Sequence, residues 1–217
     1  MAITISPATT DQIPAIVSFV MAGRTKMFPM LDPRIPLPDL VNFQQTYLDH
    51  PDGFFLTAHA DGQLVATIAY LPYNHRFAHL NLGQERIVEV VRLYVSPFWR
   101  RGGLASMLFS QLAHQARKAG IERFYLHTHP FLAGAVQFWE RQGFTLLDVE
   151  NDPVWRTTHM TRLCKGLSTR EENRIDSSIP GQPWDKIKNG WSSRGFRDVD
   201  DTNGRACLNG NRGNQIL

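Results

Sequence analysis

The run Glu89-Val-Val-Arg-Leu-Tyr-Val-Ser-Pro-Phe-Trp-Arg-Arg-Gly-Gly-Leu-Ala105 sets a β-branched stretch, two arginines and two glycines directly before a strongly helical segment. That order makes an anion site. The first amides of a helix have no partner within it, and its dipole adds roughly half a positive charge at that end. Gly102 and Gly103 let the backbone approach a phosphate closely, and Arg100 and Arg101 add charge. Two familiar phosphate patterns are missing. No Gly followed by four residues and Gly-Lys-Ser/Thr occurs, and Gly102-Gly103-Leu104-Ala105 does not supply the Gly-x-Gly-x-x-Gly of dinucleotide sites.

What the turn does match is Arg/Gln-x-x-Gly-x-Gly/Ala, here Arg100-Arg-Gly-Gly103-Leu-Ala105. At this point the sequence resembles the GNAT superfamily of acyl-coenzyme A-dependent N-acyltransferases. Arg92-Leu-Tyr-Val-Ser-Pro97 is similar to the family's fourth strand. Phe138-Trp-Glu-Arg-Gln-Gly-Phe144 is similar to the Tyr-Glu-Lys-x-Gly-Phe that ends one of its helices. Each segment alone is an ordinary piece of strand-helix architecture; the three in order, at the expected spacing, are not. The resemblance runs over about residues 3–163 and implies acetyl-CoA as cosubstrate. On it, Arg100, Arg101, Gly102, Gly103, Leu104 and Ala105 hold the pyrophosphate. The backbone of Leu93, Tyr94 and Val95 pairs with the pantetheine arm, and Trp139 stands on the cofactor where the family has a tyrosine.

N-acyl transfer requires a held thioester, a polarised carbonyl, a neutral amine and a protonated leaving thiolate. An amine of pKa near 10 is almost wholly protonated at pH 7, so a base is needed, directly or through water. Glu89, three residues before Arg92, matches a family glutamate that faces the acceptor and is the first choice; the competing role is an ion pair with Arg92 or a neighbour. His127 and His129 lie two apart on the next strand, project to one face and could relay a proton. They are no metal site without further ligands, and spacing assigns none. By resemblance, the amide of Leu93 or Tyr94 polarises the carbonyl. Trp139 cannot act as the thiolate's acid, which leaves Tyr94, Tyr125, a histidine or water, although a thiolate leaves readily without one. Leu132 replaces an asparagine of the family. The acceptor is an amine of a small molecule or peptide. The loop 27–38 and the segment 150–156 are expected to wall its pocket, and their mixed apolar character does not suit a highly cationic molecule. The alternative is a non-catalytic acetyl-CoA-binding regulator of a partner protein, which Trp139 favours.

The elements that must position these residues can be read from periodicity and turn signals. Strands are expected at 3–5, 54–60, 64–71, 87–95, 124–128, 144–149 and about 154–161. Helices are expected from about 10 through Met21, from 39 to 48, from 104 to 119 and from 132 to 142. Asp61-Gly62 reads as a hairpin turn. The order gives an α/β fold, a central mixed sheet with helices on both faces, over residues 1–165.

The chain has 217 residues, a formal net charge of +3 and two cysteines, Cys164 and Cys207. Two cysteines suit a reducing compartment, and neither a secretory leader nor an apolar run of ~18 residues is visible, so a cytoplasmic protein without a membrane partner is expected. Residues 1–164 hold 14 basic and 13 acidic side chains, without a basic run. Nucleic acid is thus not expected as a partner; a homodimer stays open. Beyond Cys164 the composition turns to Gly, Asn, Ser, Arg and Asp, and 166–217 is expected to be a disordered tail.

Overall fold

The computed structural model describes residues 2–164; the expectation for 166–217 lies outside them. Asp61 and Gly62 both take positive φ, 48° and 82°, the pair of angles a two-residue type I′ turn demands. They join β2 (Phe54–Ala60) to β3 (Gln63–Pro72). β1 (Ile3–Pro7) pairs antiparallel with β2 on one side, and β4 (Ile87–Val95) pairs antiparallel with β3 on the other.

The helix α3 (Leu104–Lys118) then crosses to β5 (Arg123–Thr128), which lies parallel to β4. α4 (Ala135–Arg141) leads to β6 (Thr145–Val149), and β7 (Thr158–Leu163) inserts antiparallel between β5 and β6. The sheet is therefore mixed, in the order β1-β2-β3-β4-β5-β7-β6. Among the described residues no helix is long and apolar enough to cross a membrane.

The period of two in the strands builds two cores. Ala66, Ile68 and Tyr70 of β3, Val88 and Val90 of β4, and Phe124 and Leu126 of β5 face α3, where Leu104, Leu108, Phe109 and Leu112 are buried. Phe55, Ala69, Leu71 and Val91 face the opposite layer. There Ile16 and Val20 of α1 (Ile13–Met27), Leu40 of α2 (Pro38–Val41) and Tyr47 meet them. Helices cover both faces, as the sequence predicts.

Three boundaries differ from the sequence reading. The helix expected over 39–48 is interrupted at Asn42, which leaves helical geometry at φ −102° and ψ 35° while its side-chain Nδ2 donates to the Pro38 carbonyl at 3.0 Å; a π-helical turn, Gln44–Leu48, follows. α4 starts only at Ala135, since Gly134 is left-handed with φ 78°. β7 begins at Thr158 rather than near 154. The Asp152 carboxylate accepts from the amides of Val154 and Trp155, each at 2.8 Å, and holds that segment as a turn.

Candidate active site

β4 and β5 pair only from Ile87 to Glu89, where Glu89 stands opposite Tyr125. Beyond that point β4 runs on through Val95 with β3 alone as its strand partner. A bulge accompanies the parting. The β3–β4 register shifts between Thr67 and Ala69, and Arg92 takes a left-handed φ of 57°, a strained angle for a residue with a side chain. Thr67 Oγ1 donates to the Arg92 carbonyl at 2.8 Å. The Arg92 guanidinium, 1% exposed, is clamped by buried Asp39. Nε donates to Oδ2 at 2.8 Å, Nη2 donates to Oδ1, and Tyr47 donates its hydroxyl to Oδ2 at 2.5 Å. A buried ion pair thus ties α2 to the bulge.

β4 leads through the short turn Pro97–Trp99 and Arg100–Gly103 into α3. Gly103 is the N-cap residue with φ 84°, and among the described residues no side chain caps the helix. Among the described residues, nothing but Gly103 and its two chain neighbours lies within 4 Å of where a Cβ on Gly103 would sit, so among them the approach to the helix start is open. Leu104 is buried under the sheet and Ala105 is partly covered, whereas Arg101 is exposed. Arg100 turns back toward the strand: its Nε donates to the Val95 carbonyl at 2.8 Å, and its guanidinium lies 5.7 Å from the centre of the Tyr94 ring. Tyr94 is buried with its ring on the edge of Phe19, 5.2 Å away. It also presses on Gly23, where an added Cβ would stand 2.8 Å from it.

The strand face opposite α3 carries a connected polar group. Glu89, fully buried, accepts from Arg76 Nη1 at 2.7 Å and Nη2 at 2.6 Å, and from His127 Nδ1 at 2.9 Å. Burial pushes its pKa up, but the bonds from His127 and Arg76 outweigh this and bring it down to about 2. An ionised carboxylate only accepts, so Nδ1 of His127 is the donor, and whenever the ring carries one proton Nε2 is its acceptor. His129 lies just past β5 and meets His127 edge-on, ring centres 5.9 Å apart. Burial, with His127 as a lesser cause, lowers its pKa to about 4, so it is neutral at pH 7. It stacks on Phe131, its Nδ1 is 3.2 Å from the Trp155 carbonyl, and its Nε2 is buried without a hydrogen-bond partner among the described residues.

Of the residues singled out in the sequence, the structure brings Glu89 and His127 into contact, and it leaves Leu93–Val95 without a strand on the β5 side. Trp139 is not brought there. It is buried in the α3-side core, with ring centres 5.5 Å from Phe109 and 5.2 Å from Phe144. Arg92 is not the partner of Glu89, since Asp39 holds it. Arg76 and Asp39 carry no sequence signal for these roles. Each partner lies far along the chain, and the only cue to Arg76 is the aromatic and cationic run Tyr73-Asn-His-Arg-Phe77 directly after a strand.

The sequence matches the profile of the acetyltransferase (GNAT) family over residues 18–144, more than half of the chain. It is 30% identical over 111 residues to the uncharacterised N-acetyltransferase YjgM of Escherichia coli K12, covering 51% of this chain and 62%, just under two thirds, of that protein. A GNAT acetyltransferase from Staphylococcus aureus Mu50 superposes with a TM-score of 0.62 at 19% identity, over 76% of this chain and all of that one. The PaiA N-acetyltransferase of Thermoplasma acidophilum, solved with coenzyme A, gives 0.53 at 17% identity, over 75% and 99%. The splayed fourth strand, the glycine-opened helix after it and the match across residues 18–144 agree: this chain belongs to the acetyltransferase (GNAT) family.

Proposed function

We propose that residues 1–165 form an N-acetyltransferase that moves an acetyl group from acetyl-CoA to an amine of a small molecule or peptide. The observation that carries this reading is the half-paired β4, which leaves backbone free along Leu93–Val95, leads into the bare start of α3 and has the Glu89–His127 pair at its other end. The domain limit is supported by Cys164, buried, whose amide donates to the Glu122 carbonyl at 2.8 Å.

The amine attacks the thioester carbonyl, a C–N bond forms, the C–S bond breaks, and coenzyme A leaves as thiolate. His127 Nε2 takes the amine's proton. Glu89 serves as its positioning partner rather than as the base: a carboxylate held near pKa 2 by three bonds has little affinity for a proton at pH 7. Trp139 fills core volume, so its presence in place of a tyrosine says nothing for a non-catalytic regulator. The reading is tested by thiol release. Given acetyl-CoA and a panel of small amines and peptides, the chain releases free coenzyme A only when an accepted amine is present. Acetyl-CoA binding with no release across a broad panel would instead support the regulator.

The phosphate turn has its own test. Gly103→Val weakens acetyl-CoA binding by tenfold or more in calorimetry, because the new side chain occupies the open approach to the helix start. The left-handed φ also strains any such residue. Gly103→Asn, which tolerates that angle, serves as the control for strain. An unchanged affinity in a folded Gly103→Val chain would remove the turn from the coenzyme site.

A further inference from the structure

Beyond the acceptor face, the loop 73–86 brings His79 over the end of the β6–β7 ribbon. His159, on β7 opposite His127, is 0% exposed. Its Nδ1 lies 2.8 Å from the Tyr125 hydroxyl, and its Nε2 is buried with no hydrogen-bond partner among the described residues. That nitrogen points to Glu150, whose Oε1 is 3.5 Å away. His79 Nε2 lies 3.4 Å from Asp148 Oδ2, and Asp148 is the cross-strand partner of His159. One ligand atom each from His79, Glu150 and His159 fall within 4.8 Å of one another.

The spacing and chemistry of this group suit a cation better than a set of hydrogen bonds. At 3.5 Å the His159–Glu150 contact is long for an N–H···O bond. With ligand bonds of ~2.0–2.1 Å, two ligand atoms on a tetrahedral ion lie ~3.3 Å apart, close to the 3.5 Å between His159 and Glu150. A Tyr125 hydroxyl oxygen accepting from Nδ1–H leaves the Nε2 lone pair of His159 free, the outer-shell arrangement usual for a metal-bound imidazole. Two imidazoles with carboxylate oxygens suit ions of the zinc type rather than calcium or magnesium. Two further contacts brace the ligands: Phe77 lies edge-on to His159, with ring centres 4.7 Å apart, and the Glu150 amide donates to the Thr157 carbonyl at 2.9 Å.

We propose that His79, Glu150 and His159 bind one divalent transition-metal ion of the zinc class, with water completing its coordination. The ion fastens the 73–86 loop to the β6–β7 ribbon. The same loop carries Arg76, so the metal steadies the guanidinium that grips Glu89. Spacing gives no hint of this site: the ligands stand 71 and 9 residues apart in the chain.

The test uses the full chain, stripped with a chelator and dialysed, then titrated with Zn²⁺ by calorimetry and with Co²⁺ by visible absorption. One equivalent binds, the Co²⁺ form shows the absorption of a tetrahedral site, and Tm rises by several degrees at saturating Zn²⁺. His79→Gln and Glu150→Gln, both at partly exposed positions that tolerate substitution, each weaken binding at least about tenfold, as even outer-shell changes can. Failure of the parent chain to bind a stoichiometric ion would overturn the proposal. So would an ion whose affinity survives both substitutions.

Discussion

Replacing His127 with glutamine lowers kcat/KM for an accepted amine by about 10²–10⁴-fold, the usual contribution of a positioned base. Acetyl-CoA affinity changes little, because His127 stands against Glu89 on β5 and not along Leu93–Val95 or the Gly103 turn. The loss shrinks as pH rises from 6 toward 10, where free amine becomes abundant without help. Glu89→Gln behaves differently. It keeps the shape but removes the charge that fixes the His127 tautomer and balances Arg76, so activity and stability fall together. A pH–rate profile of the three proteins, with a melting curve for each, separates the roles. A His127→Gln chain of near-parental activity, with a ratio close to one across that range, would show that His127 is not the base.

Asp39→Ala destabilises the fold by about 3–5 kcal/mol, the cost of leaving a buried charge without its partner. Arg92 and Asp39 are both buried, and Tyr47 also spends its hydroxyl on the same carboxylate. A domain of ordinary stability has ~5–15 kcal/mol in total, so the loss is a large share of it. The double substitution Asp39→Leu with Arg92→Met removes both charges and loses far less, since a buried pair itself adds little net stability. Urea unfolding of the two variants gives the comparison. A cost below ~1 kcal/mol for Asp39→Ala would mean that water reaches the pair. The double variant should still lose acetyl-CoA affinity, because the Asp39 clamp fixes Arg92, the left-handed residue at the bulge of β4.

Much of the architecture was legible because it rests on local chemistry. The Asp61-Gly62 turn is set by which residues accept positive φ. β4 and α3 are set by β-branched and helical periodicity, with Gly103 between them. Misjudged boundaries lay where a polar side chain competes with the ladder or the helix. One helix is interrupted at Asn42, whose side chain bonds the Pro38 carbonyl, and the Asp152 turn holds Val154 and Trp155 ahead of β7. Periodicity does not register such contacts.

The sequence by itself determined the family, the glycine turn that opens α3 and the strands that carry Glu89 and His127, because each depends on residues close in the chain or on the period of a strand. Only the tertiary structure decided what those side chains touch. Arg76 reaches Glu89 across 13 positions, and Asp39 reaches Arg92 across 53. Trp139 went to the core, and His159 came beside His79 and Glu150. A charged group buried by the fold must find its counter-charge wherever the chain's path delivers one. That path is set by the packing of the whole sheet, which no spacing along the chain records.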